Sequence, residues 1–248
     1  CSPLAALAPP AGFTAPARRR LSVALCSADA SSAVVGARAG GTAYADLAHA
    51  LHAVEQEAAT LDKVSAYAAL LERAWRRDPA DLNLCLALTT LQLAPAEPPL
   101  KFGLGESLIL EAIASATGAP LEELQAQLGE LGDAGDLAAA RRADADPAAP
   151  RAAPLLLADV HAALIGLQAE SGAGANGRRV ERLAGLLRRA EPVEACHVVR
   201  AVRGKQRTGL SSANTIAALA QAATAVYPDP SAELAAAEED SAVAEAAA

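Results

Sequence analysis

TLDKVSAYAALLERAWRRDPADLNLCLALTTLQL, residues 60–93, carries the reading of the fold. Leu61, Val64, Leu70, Leu71 and Trp75 recur at helical spacing and mark one apolar stripe. Thr60 is expected to be the N-cap of that helix, its hydroxyl accepting a free backbone N–H, with Asp62 in the first turn favoured by the helix dipole. Asp78-Pro79 ends the run, because proline lacks an amide hydrogen and restricts the residue before it. Ala80 to Leu93 reads as another helix, nearly all apolar and therefore buried.

Working outward, Tyr44, Leu47, Leu51 and Val54 repeat at the same spacing and predict a preceding helix. Downstream, Pro95, Pro98 and Pro99 make a turn. Lys101-Phe-Gly-Leu-Gly-Glu-Ser107 is then a glycine-punctuated loop opening a helix through Leu108, Leu110, Ile113 and Ala116, with Gly118 as its C-terminal stop. A helix from Pro120 to Leu128 follows, Gly132 to Asp136 reads as a turn before Leu137, and residues 141–153 read as a surface loop. The spans Leu156 to Gln168, Gly177 to Ala190, Pro192 to Val202 and Ser211 to Val226 each show an apolar face. With no convincing strand, the expectation is an all-α fold of about nine or ten helices.

Composition agrees: 52% of the residues are hydrophobic but only 2% aromatic, so alanine and leucine supply the apolar surface, and alanine is the best helix former. No run of about 18 apolar residues is present to span a bilayer, so no membrane partner is expected. Cys1, Cys26, Cys85 and Cys196 are scattered, with no CxxC pair and no nearby histidine at ligand spacing, which argues against a zinc site or a disulfide framework. Cys85 and Cys196 fall inside apolar helical patterns and read as structural. The chain opens on cysteine and has no methionine, which marks a fragment or a processed product. Residues 1–41, rich in Ala, Pro, Ser and Gly and carrying Arg18-Arg19-Arg20, read as a disordered leader or linker, with an organellar transit peptide as the alternative. Residues 42–228 form the folded domain, and 229–248 an acidic Ala/Glu-rich tail.

Catalytic readings find little support. His49, His52, His161 and His197 lie in helical patterns, away from any nucleophile, and read as surface or interhelical residues. Gly103-Leu-Gly105 lacks the third glycine and preceding strand of a dinucleotide fingerprint. Asp133 and Asp136 lie in a glycine-rich turn without the further carboxylates of a calcium loop, so capping is the expected role.

The net charge of −8 is at odds with nucleic-acid binding until its distribution is followed. Residues 171–210 hold nine cations (Arg178, Arg179, Arg182, Arg188, Arg189, Arg200, Arg203, Lys205 and Arg207) against the acids Glu181, Glu191 and Glu194. Two loops concentrate them. In Ser171-Gly-Ala-Gly-Ala-Asn176-Gly177-Arg178-Arg179, small residues precede a helix whose first turn is doubly basic. Helix N-termini prefer acids, so a negative partner such as a phosphate is called for, with a solvated arginine pair as the alternative. In Arg203-Gly-Lys205-Gln-Arg207-Thr-Gly209-Leu-Ser211, cations alternate with residues too small to block approach, directly before a helix. Neither loop has an aromatic residue for base stacking, so sequence-independent backbone binding is expected.

Gly204-Lys-Gln-Arg-Thr-Gly-Leu210 with its following alanine-rich helix resembles the loop that closes the N-terminal DNA-binding domain of ATP-dependent DNA ligases of the eukaryotic DNA ligase I-like type. Three further blocks resemble that family in the same order: Phe102-Gly-Leu-Gly-Glu-Ser-Leu with Ala116-Thr-Gly118; Gly132-Asp-Ala-Gly-Asp-Leu-Ala138; and Asp159-Val through Gly172 into Asn176-Gly-Arg-Arg. Together they cover roughly residues 42–228. The resemblance implies a two-lobed multi-helix bundle that binds nicked duplex DNA without sequence specificity, through phosphates in the minor groove, in DNA replication, repair and recombination. It implies DNA contacts from Gly204, Lys205, Arg207, Gly209 and Ser211, from Asn176, Gly177, Arg178 and Arg179, and from Thr60 and Lys63. Lys205 and Gln206 depart from the more usual Arg and Leu, and Thr60 stands where some members carry a cation.

Ligases join ends through a lysyl-adenylate on a Lys-x-Asp-Gly motif. Lys63-Val-Ser-Ala, Lys101-Phe-Gly-Leu and Lys205-Gln-Arg-Thr do not fit it, so no ligation and no cofactor are expected of this chain alone. ATP and Mg belong to the catalytic core of a parent enzyme, whose catalytic and OB-fold domains are the expected partners, in the nucleus or alternatively a mitochondrion or chloroplast. The rival reading is a helical protein-interaction scaffold without DNA binding.

Overall fold

The computed structural model describes residues 41–93, 102–144 and 153–228. The proposed leader up to residue 40, the proline-rich turn, most of the 141–153 loop and the acidic tail lie outside the described residues. Those described form ten helices and no strand. The helices are α1 (Tyr44–Gln56), α2 (Thr60–Arg77), α3 (Pro79–Thr90), α4 (Glu106–Thr117), α5 (Leu121–Leu131), α6 (Ala134–Ala143), α7 (Leu157–Ala169), α8 (Ala175–Arg189), α9 (Pro192–Val202) and α10 (Ser212–Val226).

α2 buries Val64, Tyr67, Ala68, Leu70, Leu71 and Ala74, a face that returns every three or four residues, but of the expected stripe Leu61 is exposed and Trp75 is only half-buried. Its start differs from expectation. Thr60 is already helical, and extended Ala59 holds the N-cap position without a side-chain bond, so the Thr60 hydroxyl caps nothing. Asp78 both ends α2 and starts α3, its Oδ1 accepting from the Ala80 N–H at 2.8 Å, with Pro79 in the first turn where its missing donor costs nothing. α3 stops at Thr90, earlier than expected, because Leu91 turns left-handed at φ 58°. It buries one face through Leu82, Cys85 and Leu88 and leaves Asn83 and Thr90 exposed, so it is not buried all round.

Gly132 to Asp136, expected as a turn, and Arg141 to Ala143, expected in a surface loop, belong instead largely to one helix. Gly132 (φ 69°) ends α5, Asp133 caps α6 by accepting from the Asp136 N–H at 3.0 Å, and a helix runs on. Gly135 sits inside it for a packing reason: a Cβ there would lie 2.8 Å from Arg200 Cγ and 2.9 Å from the Cys196 carbonyl oxygen on α9. α8 likewise begins earlier than expected, at Ala175 after left-handed Gly174 (φ 73°).

α2 and α10 run side by side and parallel. Lys63 near the start of α2 bonds the Thr208 carbonyl just before α10, while Trp75 and Arg76 near its end meet Tyr227 and the Ala225 carbonyl. α3 completes this group. On the other side α4 packs on α8, α6 on α9, and α5 on both α4 and α6. α1 touches α2 and α9, and α7 touches α3 and α8, so one continuous hydrophobic core joins the two groups. The starts of α1 and α7 are pinned together by Tyr44 N–H to the Leu155 carbonyl (2.7 Å) and Leu157 N–H to the Thr42 carbonyl (3.1 Å). α9 is the central element, buried from Glu194 to Val202. Among the described residues no helix is long and apolar enough to cross a membrane.

Candidate nucleic-acid interface

α9 ends at Val202 with Arg203 as its C-cap, and Gly204 (φ 75°) turns the chain into an irregular loop whose side chains alternate in burial. Gln206 and Thr208 are buried; Lys205, Arg207 and Gly209 are exposed. The inward pair anchors the loop. Gln206 Nε2 donates to the Leu88 carbonyl at 3.3 Å, and its Oε1 lies 3.2 Å from His197 Nδ1. The Thr208 hydroxyl accepts from the Leu210 N–H, and its carbonyl accepts from Lys63 Nζ at 3.0 Å. Arg207 takes the left-handed conformation at φ 57°, strained for a residue with a Cβ. Its guanidinium lies 3.1 Å from Asp133, while the Lys205 ammonium has no partner among the described residues.

Ser211 then caps α10, its Oγ accepting from the Asn214 N–H at 3.1 Å. α10 carries no acid in its first turn, so its positive end is not neutralised locally. Because α2 runs parallel to it, a second helix N-terminus with exposed Thr60 and with Lys63 ends on the same side. Two helix N-termini with free first-turn N–H groups and a cation-bearing loop thus face one way; Asp62 offsets the dipole of α2, so the anion-attracting charge comes from the unneutralised end of α10 and the loop cations.

The other predicted loop is built differently. Arg178 and Arg179 turn back from the first turns of α8 onto the C-terminal end of α7. Arg178 binds Glu170 at 2.7 Å and the Ala173 and Ser171 carbonyls at 2.9 and 2.8 Å; Arg179 binds the Leu167 carbonyl at 3.3 Å, the Glu170 carbonyl, and Asn176 Oδ1 at 3.2 Å. The negative partner that this doubly basic turn calls for is therefore present within the chain. Glu170, gripped by Arg178 and Arg182, is held below the usual carboxylate range by those hydrogen bonds. What stays open to an anion is the N–H groups of Asn176 and Gly177, at a depression lined by Ser171, Gly172, Gly174 and Arg179. No hydrogen bond or ion pair among the described residues links this turn to the 203–211 loop.

Ion pairing also revises the basic segment as a whole. Arg178 and Arg182 pair with Glu170, Arg188 with Glu181, Arg189 with Asp159, Arg203 with Glu106 and Arg207 with Asp133. Arg200, only 4% exposed, is not a surface cation at all: it binds Glu55 at 2.6 Å, Asp136 at 3.0 Å and Asp133 at 3.2 Å. Burial raises the Asp133 pKa, but the Asp136 N–H and the two guanidiniums outweigh it and hold the carboxyl below its ordinary value. The half-exposed pairs are weak, whereas the buried Arg200 cluster is structural.

Asp133, Gln206, Thr208 and Glu55 are site-shaping residues that sequence reasoning missed. Only Asp133 left a signal, as a cap. The cysteines fit their structural reading: Cys85 and Cys196 are buried and unpaired, and burial pushes both thiols up to about 12. His49 and His52 are exposed, His161 is half-buried against the Leu93 carbonyl, and His197 is fully buried between helices.

Comparison with known proteins matches residues 43–220 to the family model described as DNA ligase N terminus. The chain is 33% identical over 202 residues to a DNA ligase of Pyrobaculum arsenaticum, covering 75% of this chain and 34% of that protein. It is 27% identical over 194 residues to DNA ligase 1 of Schizosaccharomyces pombe, covering 78% of this chain and 25% of that protein, and 32% identical over 145 residues to DNA ligase 1 of Arabidopsis thaliana, covering 58% and 18%. The matches thus span about a third or less of these relatives. With ten helices in the described residues and its basic loop set beside two parallel helix N-termini, the chain belongs to the DNA ligase N-terminal domain family.

Proposed function

We propose that this domain binds nicked duplex DNA without sequence specificity, through phosphates along the minor groove, as the DNA-binding part of an ATP-dependent DNA ligase. The observation that carries the reading is the 203–211 loop. Gln206 and Thr208 fasten it to the core while Lys205, Arg207 and Gly209 face outward beside the N-termini of α2 and α10. Lys63, Thr60 and Ser211 extend that surface, and Asn176 and Gly177 offer a second N–H cradle. Arg178 and Arg179 shape that cradle, and the half-exposed Arg178 exchanges Glu170 for a phosphate on binding. The parent enzyme's catalytic and OB-fold domains, with their ATP and Mg, supply the adenylation chemistry, in replication, repair and recombination within the nucleus or an organelle.

The test is binding of a fluorescent nicked duplex between about 50 and 200 mM salt, where each phosphate contact contributes about 0.9 to the logarithmic salt slope. Lys205→Ala/Arg207→Ala is expected to flatten the slope by about two contacts. A scaffold reading draws on the carboxylate partners of most of the cations and on the exposed Leu61 and Ile216. Weak binding that the double substitution leaves unchanged would decide for it.

A further inference from the structure

His197 poses a problem that the DNA reading leaves unsolved. It is fully buried on the central helix α9, and its Nε2 has no hydrogen-bond partner. An orphaned buried ring nitrogen is costly unless something meets it. The other nitrogen is committed. Gln206 Nε2 donates to the Leu88 carbonyl, which orients the amide so that Oε1 faces His197 Nδ1 at 3.2 Å. Nδ1 therefore carries the proton, and Nε2 presents a bare lone pair.

Two side chains of α1 share its surroundings. His52 and Glu55, one helical turn apart, place their ligand atoms with that of His197 within 4.8 Å of one another. The His52 ring stands edge-on to His197, centroids 6.5 Å apart. Glu55 gives Oε2 to Arg200 at 2.6 Å, which leaves Oε1 uncommitted, and the Arg200 charge is already shared with Asp133 and Asp136.

We propose that His52, Glu55 and His197 form a site for a divalent first-row transition cation, with Zn2+ the best fit, which clips α1 to α9 and keeps at least one position open to solvent. Two imidazoles and a carboxylate are a borderline-soft donor set that suits zinc and leaves calcium and magnesium, which want oxygen shells, poorly served. Zinc–ligand bonds of about 2.0–2.1 Å at tetrahedral angles need donors about 3.4 Å apart. The exposed His52 has room to close that gap and the uncommitted Oε1 of partly buried Glu55 can turn toward it, whereas buried His197 is fixed. Both protein partners that a metal ligand normally has are present: Gln206 behind the imidazole, and Arg200 behind the carboxylate. Sequence spacing cannot reveal such a site, because α9 is remote from α1 along the chain.

The test is a calorimetric titration of chelator-treated, tag-free protein with ZnCl2, repeated with CoCl2 and read by absorption. One equivalent is expected to bind and to raise Tm, with the cobalt complex free of thiolate charge-transfer bands. His52→Ala, on the surface and harmless to folding, should weaken binding by ~10-fold or more, and Gln206→Leu by about 10- to 100-fold, as loss of an orienting partner does. His49→Ala should change nothing. Absence of saturable binding, binding undiminished in His52→Ala, or a cobalt spectrum with sulfur bands would each overturn the assignment.

Discussion

Arg207 is held left-handed at φ 57° in the loop offered to DNA, a conformation that costs an ordinary residue about 1–2 kcal/mol. Strain and charge can therefore be separated at one position. Arg207→Gly relieves the backbone but removes the guanidinium, and Arg207→Ala removes the guanidinium alone. The glycine variant is expected to be more stable than the alanine variant by about 1 kcal/mol in urea unfolding, while both lose the same phosphate contact in the salt titration. Equal stability of the two would mean that the loop relaxes out of the observed conformation. Thr60 teaches the complementary lesson: a threonine ahead of an apolar run signals a cap, but whether the cap falls on it or on Ala59 depends on one ψ angle that the sequence does not display.

At the scale of elements, α6 shows why glycine misleads. Gly-Asp-Ala-Gly-Asp has turn composition, yet Gly135 is helical because α9 comes too close for a side chain. Gly135→Ala would raise intrinsic helix propensity and still destabilise the fold, since the Cys196 carbonyl is backbone and cannot swing aside. The expected cost is about 1–3 kcal/mol by denaturant unfolding, and a stabilised variant would show that α6 and α9 are less tightly held. The apolar stripes of α1, α2 and α7 were legible because their periodicity is local. The contact between α6 and α9 was not, since it depends on residues far apart in the chain.

For the whole molecule, Arg200 joins α1, α6 and α9 through Glu55, Asp133 and Asp136, and Asp133 carries the connection on to Arg207. The Asp133 carboxyl is held below its ordinary pKa, so its contribution to stability is complete above the unfolded value, about 3.9, and is lost as pH falls through the lower folded one. Tm is expected to fall on acidification across that window. Asp133→Asn should lower Tm at pH 7 and flatten the acid limb, and parallel acid limbs would exclude Asp133 as its source. Here the candidate site was only half legible. The four sequence blocks and the cation cluster located the loops, but the carboxylates that neutralise most of those cations, Glu170, Asp133 and Glu55 among them, come from other segments. The alternation along residues 205–209 has one more consequence. It rests on two fixed anchor points: Gln206 reaches the Leu88 carbonyl and the Thr208 carbonyl meets Lys63, so deleting or inserting a residue between them would leave the composition almost intact yet pull one anchor off its partner. The spacing between the anchors should therefore hold constant, however freely the outward residues vary.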